Sequence, residues 1–128
     1  MSPAPSPDGA IVVHGIPNCD TVKKARAWLA AQAGAVPVRF HDLRRDGVPD
    51  ALPGWIVEAG LARLVNRSGT TWRRLDEAAR AEAAEAGTAQ ALLRREPTLI
   101  RRPVVRWPDG RITVGFDPAV FEARLAGR

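Results

Sequence analysis

The chain has 128 residues, 45% hydrophobic and 26% charged, a balance that fits one ordinary globular domain and excludes a fibrous or wholly disordered polymer. Nineteen Lys and Arg against fourteen Asp and Glu leave a net charge of +5, a surface that draws anions. The single cysteine excludes an internal disulfide, and no apolar run approaches the ~20 residues that a membrane span requires, so a soluble protein of the reducing cytoplasm is expected.

Met1 to Gly9 is rich in Pro and Ser, lacks the basic and apolar regions of a signal peptide, and reads as a flexible tail ahead of a domain over 10–128. Ile11 to His14 is a β-branched run that ends at Gly15-Ile16-Pro17-Asn18, which predicts a buried strand and a tight turn. From Thr21 to about Ala33, Val22, Ala25, Leu29 and Ala33 recur at helical spacing, and Gly34 supplies a stop. Val36 to Asp42 alternates Val38 and Phe40 and predicts a second strand, completing a βαβ unit. The middle of the chain, about 49–96, is helical in character: Trp55, Ile56 and Ala59 form a stripe, Leu75 to Ala86 has high helix propensity, and Thr88 reads as the N-cap of a helix over Ala89–Arg95. After Arg102-Pro103, the runs Val104–Trp107 and Arg111–Phe116 flank a Pro108-Asp109-Gly110 turn and predict a hairpin; Pro118–Leu125 closes the chain as a helix. The order βαβ, helical block, ββα is that of an α/β, thioredoxin-like fold with a helical insertion between its halves.

Cys19 falls in the turn between the first strand and helix. A lone cysteine is commonly a small buried hydrophobe, but the first N–H groups of a helix have no intrahelical partner and its start carries partial positive charge. Those donors favour thiolate over thiol; Lys23 and Lys24 reinforce them and Asp20 opposes, with a net gain of thiolate expected. Pro103 at the start of a strand is either an ordinary strand-opening proline or a cis proline beside the cysteine. His14 either tunes the thiol, acts as an acid, or is a strand-end histidine bonded to backbone; His41 has no partner in view. Trp72 reads as core, with Thr70 and Thr71 as candidates to line the cysteine pocket. Two histidines and one cysteine far apart give no metal-ligand spacing, so no metal is expected, and basic charge without a recognition motif gives no ground to expect a nucleic-acid partner.

Three separated motifs carry a resemblance: Gly15-Ile-Pro-Asn-Cys19-Asp-Thr-Val-Lys-Lys-Ala-Arg26-Ala-Trp-Leu29, Asn66-Arg-Ser-Gly69-Thr-Thr-Trp72-Arg-Arg-Leu75 and Ile100-Arg-Arg102-Pro103-Val-Val. Over about residues 11–125 the chain resembles the arsenate-reductase-like (ArsC/Spx) family, in its YffB-type branch. The resemblance implies a thioredoxin-like fold, a nucleophilic cysteine at Cys19 and a cis proline at Pro103. Glutathione-coupled arsenate reductases hold the oxyanion with three arginines. Arg102 matches the one before the proline; Arg67 lies beside another, where a gapless alignment places Asn66. The third is expected just before the last helix, where this chain has Phe116. A lost charge-assisted partner costs on the order of 1.5–3 kcal/mol, so efficient arsenate reduction is not expected. The second cysteine of the C-x-x-C found in Spx regulators is replaced by Val22, so no internal redox switch is expected.

The resulting expectation is a monomeric, glutathione-coupled thiol oxidoreductase with no bound cofactor. Cys19 is its nucleophile, Arg102, Arg67 and Asn18 bind substrate or glutathione, and Gly15 and Pro103 shape the site. Glutathione or glutaredoxin would donate the thiol, and the substrate would be a small anion or a disulfide. Two alternatives stand beside it: a true glutaredoxin- and glutathione-linked arsenate reductase, and a non-catalytic Spx-like module that docks on a protein such as RNA polymerase.

Overall fold

The computed structural model describes residues 8–127. The β-branched run becomes strand β1, Ile11–Gly15, buried along almost its whole length because it is an inner strand with a neighbour on each side. Helix α1, Asp20–Gln32, follows, burying Val22, Ala25 and Leu29. It ends at Ala33, with Gly34 at φ +62° in the left-handed conformation that closes many helices. Strand β2, Val38–Asp42, then pairs parallel to β1, as a strand–helix–strand crossover requires.

The hairpin forms from β3, Val104–Arg106, and β4, Ile112–Val114, with Gly110 at φ +87° in the turn. The last helix before the end of the described chain, Pro118–Ala126, starts at Asp117, whose carboxylate accepts the Ala119 N–H at 3.0 Å. The sheet order is β2-β1-β3-β4. One face packs Val13 and Val105 against Ala25, Leu29, Trp107 and Phe121. Phe121 is fully buried and meets three rings edge to face: Phe116 at 5.0 Å, Trp107 at 5.1 Å and Trp28 at 5.7 Å between centroids. The opposite face carries His14, Val104 and Val114 in one row and Val12, Arg106 and Ile112 in the next.

The chain divides into two compact units, the sheet unit just described and a helical unit from Leu43 to Arg101, wider at both ends than the block predicted over 49–96. The helical unit comprises α2 (Leu52–Ala59), α3 (Leu61–Leu64), α4 (Thr70–Arg74), α5 (Glu77–Glu82) and α6 (Ala86–Arg95), then a 3-10 turn at Pro97–Leu99. The closing helix, Pro118–Ala126, is α7. The helical unit buries Leu52, Trp55, Ile56, Leu64, Leu92, Leu93, Leu99 and Ile100. Backbone bonds tie the chain after α3 to the chain after the 3-10 turn, Asn66 N–H to Leu99 O at 2.8 Å and Arg101 N–H to Leu64 O at 2.7 Å.

Two expectations are corrected. Thr88 is not an N-cap: α6 begins at Ala86, two residues earlier, and the Thr88 hydroxyl donates to the carbonyls of Glu82 at 2.7 Å and Glu85 at 3.2 Å. A hydroxyl that reaches back one turn is compatible with a place inside the helix. Trp72 is half-buried, outside the core, with the guanidinium groups of Arg67 and Arg80 over its ring at 5.4 and 5.6 Å. Of the predicted tail, residues 1–7 lie outside the described residues; Asp8 pairs with Arg39 and accepts the Ala10 N–H at 3.2 Å. No helix among the described residues is long and apolar enough to cross a membrane.

Candidate active site

Register brings most of the predicted site to one end of the sheet. Gly15 pairs with Asp42. His14 pairs with Val104, so Pro103 stands one step further, beside Gly15, and the Gly115 N–H donates to the Pro103 carbonyl at 2.8 Å. The ends of β2, β1 and β4 and the entry to β3 thus form one row, and the loop Ile16–Asn18 leaves from its middle.

The loop is tight for a local reason. A Cβ on Gly15 would lie 2.7 Å from Cγ2 of Val22, so the end of β1 and the first turn of α1 approach closely only with glycine there. Buried Ile16 anchors the loop, and its carbonyl accepts the Cys19 N–H at 3.3 Å. Cys19 is the N-cap of α1, in extended backbone at φ −96°, ψ 124°, and its carbonyl accepts the Lys23 N–H at 2.9 Å. The side chain is half-buried, and its sulfur makes no capping hydrogen bond. Sulfur is therefore held at the start of a 13-residue helix without being consumed as a structural cap. Asn18, Asp20, Lys23 and Lys24 are exposed around it.

The Arg102–Pro103 peptide is cis, Pro103 is buried and Arg102 half-buried. Gly15, Asn18, Cys19, Arg102 and Pro103 accordingly share one end of the sheet unit. Arg67 belongs to the helical unit, where its guanidinium lies over Trp72. Thr71 is also in that unit, buried, with its hydroxyl 2.6 Å from that of Thr98. Phe116, at the position where the family's third arginine is expected, packs on Phe121.

His41 has a partner after all: its Nδ1 lies 2.8 Å from Nδ1 of His14, with the rings edge to face at 4.9 Å. One Nδ1 donates and the other accepts. The pairing follows from the parallel register His14↔His41, which no local motif announces. His14 is buried, and its pKa is lowered from 6.5 to about 3, first by loss of hydration, then by the charges of His41 and Arg106. It is neutral at physiological pH and cannot serve there as an imidazolium acid. Among the described residues, no group of three or more His, Cys, Asp or Glu is placed to hold a metal.

A parallel βαβ half, an antiparallel ββα half, helices α1 and α7 on one sheet face and a cis proline beside a helix-capping cysteine define a thioredoxin-like protein. The chain belongs to the ArsC family, whose model matches residues 14–124. It is 40% identical over 117 residues to an uncharacterized protein of Haemophilus influenzae, covering 91% of this chain and 99% of that one. The solved structure of a YffB protein superposes with a TM-score of 0.82 at 40% identity, covering 91% of this chain and 99% of the other. An arsenate reductase (ArsC) related protein from Brucella melitensis gives a TM-score of 0.66 at 36% identity, covering 89% and 92%. The family is thus one of arsenate-reductase-related, thiol-dependent oxidoreductases.

Proposed function

We propose that this protein is a glutathione-coupled thiol oxidoreductase in which Cys19 is the sole protein nucleophile. The observation that carries the reading is the place of Cys19: N-cap of α1, partly accessible, its sulfur free of a capping bond, at the sheet end that also holds Arg102 and cis-Pro103.

For a glutathione mixed disulfide as substrate, the Cys19 thiolate attacks the glutathione sulfur. The Cys19–glutathione bond forms, the substrate disulfide breaks, and the substrate leaves as a thiolate that takes up a proton. A second glutathione thiolate then attacks the bound glutathione sulfur, releasing glutathione disulfide and restoring Cys19. The mixed disulfide and one external glutathione thiol thus become the substrate thiol and glutathione disulfide, the second half of which is the substrate's own glutathione. With no cysteine three residues on, where Val22 stands, resolution by an external thiol is the route that balances. Arg102 suits a carboxylate of glutathione because its planar fork donates two parallel hydrogen bonds; Asn18, in the same unit, is the further contact we assign to substrate or glutathione.

The test is turnover of a glutathione mixed disulfide, coupled to consumption of glutathione, in the native protein and in Cys19→Ser. The variant should lose turnover while keeping its circular dichroism spectrum; turnover that survives would contradict the proposal. Arsenate in the same assay should give no turnover above background, because Phe116 supplies no guanidinium for the oxyanion.

A further inference from the structure

Between Glu58 and Asp76 the chain has no acidic residue but four arginines, Arg63, Arg67, Arg73 and Arg74. Folding of the helical unit adds Arg80 and Arg101 to this stretch. Arg80 donates from Nε to the Trp72 carbonyl and from Nη2 to the Arg73 carbonyl, both at 3.2 Å, closing the end of α4. Arg101 donates from Nε to the Arg63 carbonyl at 2.9 Å, and Arg73 from Nη1 to the Ser68 carbonyl at 2.9 Å. All these arginines are exposed.

The bonds of Arg73, Arg80 and Arg101 go to neutral oxygens. Among the described residues, Arg67, Arg73, Arg74, Arg80 and Arg101 form no ion pair, whereas Arg45 and Arg95 in the same unit are matched to Asp46 and Glu82. The first carboxylates after α4 are Asp76 and Glu77 at the start of α5, and Asp76 accepts the Ala79 N–H at 2.8 Å. A guanidinium has five N–H donors; Arg73, Arg80 and Arg101 use one or two of theirs, so these three are held in position with donors to spare. Fixing a guanidinium in advance lowers the entropy lost when it pairs with a carboxylate.

We propose that this arginine face is a docking surface for an acidic segment of a protein partner. A nucleic acid fits less well: the aromatic ring of the patch, Trp72, already has two guanidinium groups over it, on the surface that a base would need for stacking. The surface is independent of the thiol chemistry and would serve whether or not Cys19 turns over substrate.

Fluorescence anisotropy of a short labelled Glu-rich peptide, at low salt and with the full chain, tests the proposal. Saturable binding is expected, weakened at least about tenfold by Arg73→Glu combined with Arg74→Glu. Arg111→Gln combined with Arg124→Gln alters charge elsewhere and should change affinity by less than about twofold. Should the double reversal not fold, Arg74→Gln alone repeats the test, since that guanidinium makes no hydrogen bond among the described residues; a loss of about threefold is expected. No saturable binding, equal losses in the two double variants, or no loss in Arg74→Gln would overturn the proposal. So would tighter binding, through the same arginines, of an oligonucleotide of equal charge.

Discussion

The sheet unit and the helical unit handle their large side chains in opposite ways. In the sheet unit, the 13-residue α1 and the closing α7 pack on one sheet face around Phe121, whose ring is fully buried and touched by three other rings. In the helical unit, five helices of four to ten residues leave Trp72 half-buried under arginines that reach into solvent. Long elements with continuous apolar stripes make a rigid frame, and the Cys19 loop hangs from that frame. Short helices bury less per turn and place charge on the surface, which suits recognition better than precise positioning.

Phe121→Ala should break this contrast most severely, costing about 3–5 kcal/mol of stability in urea denaturation, because a ring-sized cavity opens among side chains that cannot collapse into it. Trp72→Ala should cost less than half as much, since part of its ring is already in contact with water; equal costs would show that the two units are packed alike.

A second contrast lies in the buried His14. Its folded pKa of about 3 lies below the unfolded value of 6.5, so the unfolded chain binds the proton more readily between those limits. The associated stability is fully present above pH 6.5 and is lost as the pH falls toward 3. Lowering the pH by about two units below the unfolded pKa should cost on the order of 2 kcal/mol from this residue. In His14→Leu the urea midpoint should fall less over the same interval, and an identical fall in both proteins would remove the histidine from the account.

A smaller effect is expected at Gly15. Gly15→Ala brings a methyl group against Val22 and should cost about 1–3 kcal/mol, with Cys19 turnover falling further than stability alone explains, because the first turn of α1 must move. A variant with unchanged melting and turnover would mean that the loop tolerates displacement.

What the sequence made legible follows the same division. Strands β1 and β2, helix α1 and the hairpin carry enough periods of apolar residues to be placed within a residue or two, and Cys19 with them. Three motifs in fixed order supported the family. The helical block was legible as helical but not as five pieces, since α3, α4 and α5, of four to six residues, offer at most about a turn and a half of pattern. Trp72 was misplaced because burial of a large ring depends on neighbours remote in sequence, here Arg80 folding back over it. The His14–His41 contact escaped because it is a property of strand register, 27 residues apart in the chain.

The central claim is that the sulfur at the start of α1 becomes covalently bound to glutathione during turnover. Mass spectrometry of the protein, quenched by acid while a glutathione mixed disulfide is being reduced, tests it directly. The account predicts a glutathione adduct on Cys19 that disappears when excess glutathione is added. Turnover with Cys19 unmodified at every time point, or with an adduct that excess glutathione does not remove, would contradict it.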